Sequence, residues 1–143
     1  MTKTSIYLIR HGECAGNKEN RVRGRVDFPL NENGLTQAEA LALAMRDKGM
    51  TYVYSSPLKR ALTTAEVISR ICGCGLSSDD SFSNIRLDPW EGRLKSEIAA
   101  SEPELWKTWI NDPESLVLDG AETLDQVMER SLAGLQKLIE KHK

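Results

Sequence analysis

Arg10-His11-Gly12-Glu13 follows directly on the apolar run Ile6-Tyr7-Leu8-Ile9 and sets an imidazole beside a guanidinium where a strand would run out into a loop. That arrangement suits attack on phosphorus. A histidine that takes up a phosphoryl group must be neutral at the attacking nitrogen, and fixed positive charge must hold the phosphate oxygens during transfer. Arg60 is a second candidate for that charge, in the first turn of an expected helix whose free N–H groups and positive dipole end favour an anion. Each residue also has a plainer reading, Arg10-His11 as surface decoration and Arg60 as a solvated helix charge. The only other histidine, His142, lies in the tail Glu140-Lys141-His142-Lys143 and reads as solvated.

The elements that must bring these residues together alternate in kind. Residues 4–9 read as a buried strand and Tyr52-Val53-Tyr54-Ser55 as a second. Between them Asn31-Glu32-Asn33-Gly34 marks a turn, and Thr36 with Glu39 reads as a capping box opening a helix with Leu35, Ala38, Leu41, Ala42 and Met45 on one face. Strand, helix, strand implies a parallel pair joined by a crossover. The ends of such strands emerge side by side, where open α/β folds bind ligands. After the second strand, Ser56 reads as an N-cap and Pro57 as a first helical residue. Leu58, Ala61, Leu62, Ala65 and Ile68 then repeat at helical spacing up to Gly73. A short helix is expected after Pro103, and Thr123 with Gln126 caps a last one.

Composition narrows the function. A chain of 143 residues fits one domain, residues 1–143, with a real core. A net charge of -2 offers no broad attraction to nucleic acid or to an anionic membrane, so neither is expected as a partner. No stretch approaches the length of a membrane span and no signal peptide is apparent, which makes the cytoplasm the expected location. The three cysteines fit no disulfide framework. Cys72 and Cys74 lack the further ligands a metal site needs, so no metal is expected, and Cys14 reads as a packing residue without a general base.

Ile9-Arg10-His11-Gly12-Glu13, then Asn17, Arg21, Gly24, Asp27, Pro29-Leu30, Gly34 and Gln37-Ala38, then Ser55-Ser56-Pro57-Leu58-Lys59-Arg60-Ala61 with Thr64-Ala65-Glu66, then Trp90-Glu91-Gly92, together resemble the histidine phosphatase superfamily, also called the phosphoglycerate mutase-like family. The resemblance implies an α/β fold in three layers, a mostly parallel sheet with helices on both faces. It implies His11 as the phosphate acceptor, Arg10 and Arg60 as phosphate-binding arginines, Asn17 as an amide donor to the same phosphate, and Gly24 as a backbone contact near the substrate. Arg23 stands where many members have glutamine or threonine. It reads either as an added cation that meets a second acidic group on the substrate or as an exposed loop charge. No cofactor is implied, and the expected partner is a small phosphorylated metabolite.

Two departures from the family pattern shape the expectation. Phe82-Ser83-Asn84-Ile85 aligns with a segment in which the family carries a glutamate as general acid. Asn84 cannot donate and recover a proton, which leaves Asp79, Asp80 and Asp88 as substitutes to weigh. Nothing corresponds to the family's later strand with a second histidine, so the resemblance implies a fold incomplete at its C-terminus. The open strand edge then predicts an oligomer that fills the gap or a weakly stable monomer. The activity expected is metal-independent phosphomonoester hydrolysis through phospho-His11. The alternatives are mutase-type phosphoryl transfer and an impaired, phosphate-binding remnant.

Overall fold

The computed structural model describes residues 4–142. Met1–Lys3, where no signal peptide is expected, and Lys143 of the charged tail lie outside them. After a single helical turn, α1 (Ala15–Lys18), the first long helix is α2 (Glu32–Met45). It begins five residues earlier than the Thr36 box predicts, because the Asn31 side chain accepts from the Gly34 N–H at 2.8 Å, while Thr36 instead donates back to the Glu32 carbonyl. The cap that satisfies a free backbone donor wins over one that would leave it exposed.

Strand β1 (Tyr52–Ser55) forms where the β-branched and aromatic run predicts it. Helix α3 (Lys59–Cys72) starts two residues later than expected; Ser56 Oγ accepts from Leu58 N at 3.1 Å and so caps a preliminary turn. Gly73, at φ 65°, ends the helix as its spacing predicts. The chain returns as β2 (Gly75–Ser78), parallel to β1 in the register Tyr52↔Gly75 to Ser55↔Ser78. The crossover unit is therefore β1–α3–β2, and α2 lies against α3 with Ala38, Ala42, Val67 and Ile68 buried between them.

Here the expected sheet is corrected. Residues 4–9 are not a strand and do not pair with β1; the sheet of the described residues has two strands, β1 and β2. The segment has no regular secondary structure, with Ile6 53% and Leu8 92% exposed. A strand buried on both faces needs a neighbour to take its ladder groups, and a cavity stands between this segment and β1 where that neighbour would be.

The second half wraps a separate core. Two helices, α4 (Lys95–Ser101) and α5 (Pro103–Asn111), surround Trp90, which is fully buried with Val22, Ile85, Leu87, Ile98 and Leu116. Trp90 donates its indole N–H to Glu102 and packs on Trp106, while Trp109 borders the same core. The last helix, α6 (Leu124–Lys141), carries the predicted Thr123–Gln126 cap.

One close approach positions the loop that carries His11. Gly34 of α2 lies so near the backbone of Glu13 that a Cβ there would meet the Glu13 carbonyl oxygen, and a Cβ on Gly12 would meet the Gly34 carbonyl. The loop after residue 9 is cast against α2. Gly34→Ala is expected to cost about 1–3 kcal/mol through overpacking and to lower the midpoint of thermal unfolding, measured by circular dichroism, by several degrees.

Candidate active site

The carboxyl end of β1, the start of α3 and the two loops around residues 10–14 and 23–27 converge at one end of the sheet. Arg60, second residue of α3, is only 1% exposed. Its Nη1 donates to the Val26 carbonyl and its Nη2 to the Gly24 carbonyl, each at 2.8 Å. Gly24 has φ 47°, and a Cβ on it would strike the Glu91 side chain, so glycine is required twice over. Glu91 in turn accepts from the backbone N–H of Arg25 and of Leu87.

His11 is fixed by its own neighbours. Gly12 N donates to Thr64 Oγ1 at 3.2 Å, and Thr64 Oγ1 donates to the Arg60 carbonyl one turn back on α3. Glu13 N donates to Gln37 Oε1 of α2 at 2.8 Å. The imidazole Nδ1 is 2.6 Å from the Gly12 carbonyl oxygen. A carbonyl only accepts, so Nδ1 carries the hydrogen and Nε2 of the neutral ring keeps its lone pair. Burial holds the imidazole below its ordinary pKa, and the nearby charges of Arg60, Arg23 and Arg10 push the same way, against the Gly12 hydrogen bond.

The other expected site residues divide between two adjoining spaces. Asn17 shares with Arg10 and His11 a cleft of about 250 Å³. Its Oδ1 accepts from Cys14 N at 3.3 Å and from Cys14 Sγ at 3.0 Å, which turns the amide Nδ2 away from both bonds. Cys14, fully buried, is thus a packing residue. Arg23 and Arg60 line a cavity of about 930 Å³ together with Arg10, His11 and Asn84. Arg23 Nε is buried with no hydrogen-bond partner. Among the described residues no carboxylate lies within 4.0 Å of Arg10, Arg23 or Arg60. Gly24 borders neither space; it stands behind Arg60 as the carbonyl that orients the guanidinium.

Among the described residues, Asp79, Asp80 and Asp88 do not take the place of the glutamate of the family pattern. Asn84 donates to the Gly24 carbonyl at 3.4 Å and accepts from Ile85 N at 3.0 Å. Asp79 and Asp80 border neither space, and hydrogen bonds from Ser81, and from Ser83 and Arg25, hold both below the usual carboxylate range. Asp88 also lies elsewhere, 3.9 Å from Arg86. His142 is exposed, as expected, and its Nε2 lies 2.8 Å from the Tyr54 hydroxyl at the wall of the larger cavity. Among the described residues no group of three or more His, Cys, Asp or Glu is arranged to hold a metal ion, and no helix is long and apolar enough to cross a membrane.

Sequence reasoning gave no role to Thr64 or Gln37, though both hold the His11 loop. Thr64 had a visible signal, standing one helical turn after Arg60 on the same face of α3.

The sequence pattern of the histidine phosphatase superfamily (branch 1) matches residues 6–143. The chain belongs to that superfamily. Phosphoglycerate mutase-like protein 4 of Arabidopsis thaliana is 32% identical over 141 residues, covering 96% of this chain and 61% of the relative. The probable phosphoglycerate mutase GpmB of Yersinia pestis is 30% identical over 135 residues, covering 94% and 63%. Among solved structures, YhfR of Bacillus stearothermophilus superposes with a TM-score of 0.89 at 29% identity, covering 94% of this chain and 66% of that one. A mycobacterial glucosyl-3-phosphoglycerate phosphatase in complex with VO3 gives 0.86 at 28%, covering 92% and 62%. The fold is therefore the phosphoglycerate mutase-like α/β fold, and the chain spans less than two thirds of the length of these relatives.

The His11 environment gives a pH expectation. With its folded pKa below the ordinary value of about 6.5, the unfolded chain takes up the proton first as pH falls, so this group removes stability below pH 6.5 and none above it. In an imidazole NMR titration, the resonance lost in His11→Gln is expected to show a midpoint below 6.5. A midpoint above 6.5 would contradict the buried, cation-flanked site.

Proposed function

We propose that this chain is a phosphomonoester hydrolase acting through a phosphorylated His11, with Arg10, Arg23 and Arg60 as the charge that receives the phosphate of a small metabolite. The observation that carries this reading is the free lone pair on His11 Nε2, beside three arginines that no carboxylate neutralises. In the first step Nε2 attacks phosphorus and the P–O ester bond breaks, with its electron pair going to the leaving oxygen, which takes a proton from water. In the second, water attacks phosphorus, the P–N bond breaks, and inorganic phosphate and neutral His11 are released. Asn17 Nδ2 would donate to the phosphate, and Gly24 acts through Arg60. The proposed steps call for neither metal nor cofactor, because the guanidinium groups supply the charge that develops on oxygen. Residues 1–143 are read as one domain working in the cytoplasm.

Two observations weigh on how well it turns over. Asn84 stands at the cavity wall, and the single carboxylate bordering either space, Glu13, is held ionised by Asn31. Without a general acid, on the order of 10²–10⁴ in rate is lost for a poor leaving group, and this favours a phosphate-binding protein with weak turnover as the second reading. The names of the relatives include both mutases and a phosphatase, and transfer back to the substrate is the variant in which an alcohol replaces water in the second step.

Incubation with radiolabelled acetyl phosphate is expected to give an acid-labile, base-stable phosphoprotein that His11→Ala abolishes; labelling that survives this substitution refutes the assignment. Arg10→Ala, at an exposed position, is expected to weaken binding of inorganic phosphate by roughly 1.5–3 kcal/mol in calorimetry. Asn84→Glu is expected to raise hydrolysis of an alkyl phosphate and leave an aryl phosphate nearly unchanged, since an aryl oxide leaves without protonation. Equal effects on the two esters would remove the argument from the missing acid.

A further inference from the structure

Arg23 and Asn84 reach the wall beside His11 and Arg60 through one junction of the chain. The Gly24 carbonyl accepts from Arg60 Nη2 at 2.8 Å and from Asn84 Nδ2 at 3.4 Å, and Arg23 is the residue next to it. Asn84 Oδ1 is turned back onto the Ile85 N–H at 3.0 Å, so what the amide has left to offer is a hydrogen on Nδ2. The Arg23 stem lies over Gly16, where a Cβ would stand 2.9 Å from Arg23 Cγ. The Arg23 Nε–H is buried and meets no acceptor among the described residues. Its charge pushes the pKa of both His11 and Arg60 down. Like charges held this close are relieved by an anion between them.

Neither group can do the work of a general acid. The Asn84 amide has no proton to give, and a guanidinium keeps its own at any ordinary pH. An alkoxide leaving phosphorus is about as basic as hydroxide and needs a proton, whereas a departing phosphate is a stable anion that needs only positive charge and hydrogen bonds. A glutamate at position 84 would repel such a leaving group, and asparagine does not. We infer that the preferred substrate ends in a diphosphate, whose leaving oxygen belongs to a second phosphate held by Arg23 and Asn84, while Arg10 and Arg60 hold the phosphoryl group that passes to His11. The inference rests on the phospho-His11 reading and narrows it to one kind of leaving group. His11 Nε2 attacks the terminal phosphorus, the P–N bond forms, the bridging P–O bond breaks, and its electron pair stays on the oxygen of the departing phosphate with no proton transferred. Water then releases inorganic phosphate from His11 as before. A carboxylate as second acid offers two oxygens, which the Arg23 fork alone would fill, whereas a phosphate offers a third to the Asn84 amide.

Binding tests the second site without turnover. Calorimetry with methylenediphosphonate, whose P–C–P bridge is not cleaved, is compared with methylphosphonate. The protein is expected to favour the diphosphonate about tenfold or more, and Arg23→Gln to remove most of that preference, as the loss of one charged hydrogen-bonding partner does. Arg23→Lys, which keeps the charge without the fork, is expected to retain part of it, and Asn84→Glu to lower it by repulsion. No preference in the unaltered protein, or one that survives Arg23→Gln, overturns the inference. Labelling of His11 tests the leaving group. Arg23→Gln is expected to slow phosphoryl transfer from radiolabelled pyrophosphate about tenfold and from methyl phosphate less than about threefold. Equal slowing with both donors, or slowing as large with acetyl phosphate as with pyrophosphate, overturns the diphosphate assignment. No labelling from any donor, with the diphosphonate preference intact, refutes transfer to His11 and keeps the second anion site.

Discussion

A guanidinium taken out of water is costly unless its donors are matched, and the architecture around Arg60 is the solution this chain has reached. The two carbonyls that accept from it belong to residues 24 and 26, and no side-chain carboxylate is spent on it. The loop at 23–26 is thereby held to the start of α3, and Arg23 is carried with it to the cavity wall. The cationic charge left uncancelled is what makes the region fit for an anion, and it is also part of why the neighbouring imidazole resists protonation. Replacing those carbonyls by an aspartate would stabilise the arginine and remove the site.

Legibility in the sequence followed the range of the interactions involved. Local signals read well: the strand at Tyr52–Ser55, the stop at Gly73, the Pro103 helix and the Thr123 cap all depend on residues within a turn or two. Competing caps read less well, because Asn31 and Thr36 each satisfy a helix start and only the packing of Gly34 against Glu13 selects the earlier one. The segment 4–9 has every local mark of a strand, yet being a strand is a relation to a neighbour, and that neighbour is not among the residues beside it. Of the site, His11, Arg10 and Arg60, singled out by type and spacing, do line one cavity. Gln37 gave no such signal and Thr64 only its place one turn after Arg60, since the part of both is to hold the backbone of the His11 loop.

The two halves of the molecule divide the labour unequally. The α2–α3 core and the short sheet hold the arginine-lined cavity, while the Trp90 core carries Glu91, which braces the 23–26 loop from behind. Glu91 is thus the point at which the second core reports to the first. Trp90 lies next to it in the chain and has no contact with the cavities, so its packing affects the site only through the loop that Glu91 holds.

The hold on His11 from both α2 and α3 has a consequence for the order in which the molecule assembles. The N–H groups of residues 12 and 13 find their acceptors on two helices that come later in the chain, and the backbone at Gly12 is shaped by contact with Gly34. A chain emerging from synthesis therefore presents its histidine early but cannot aim it until the β1–α3 crossover has closed. His11 is thus made early and placed late, which ties the aim of its ring to completion of the fold around it.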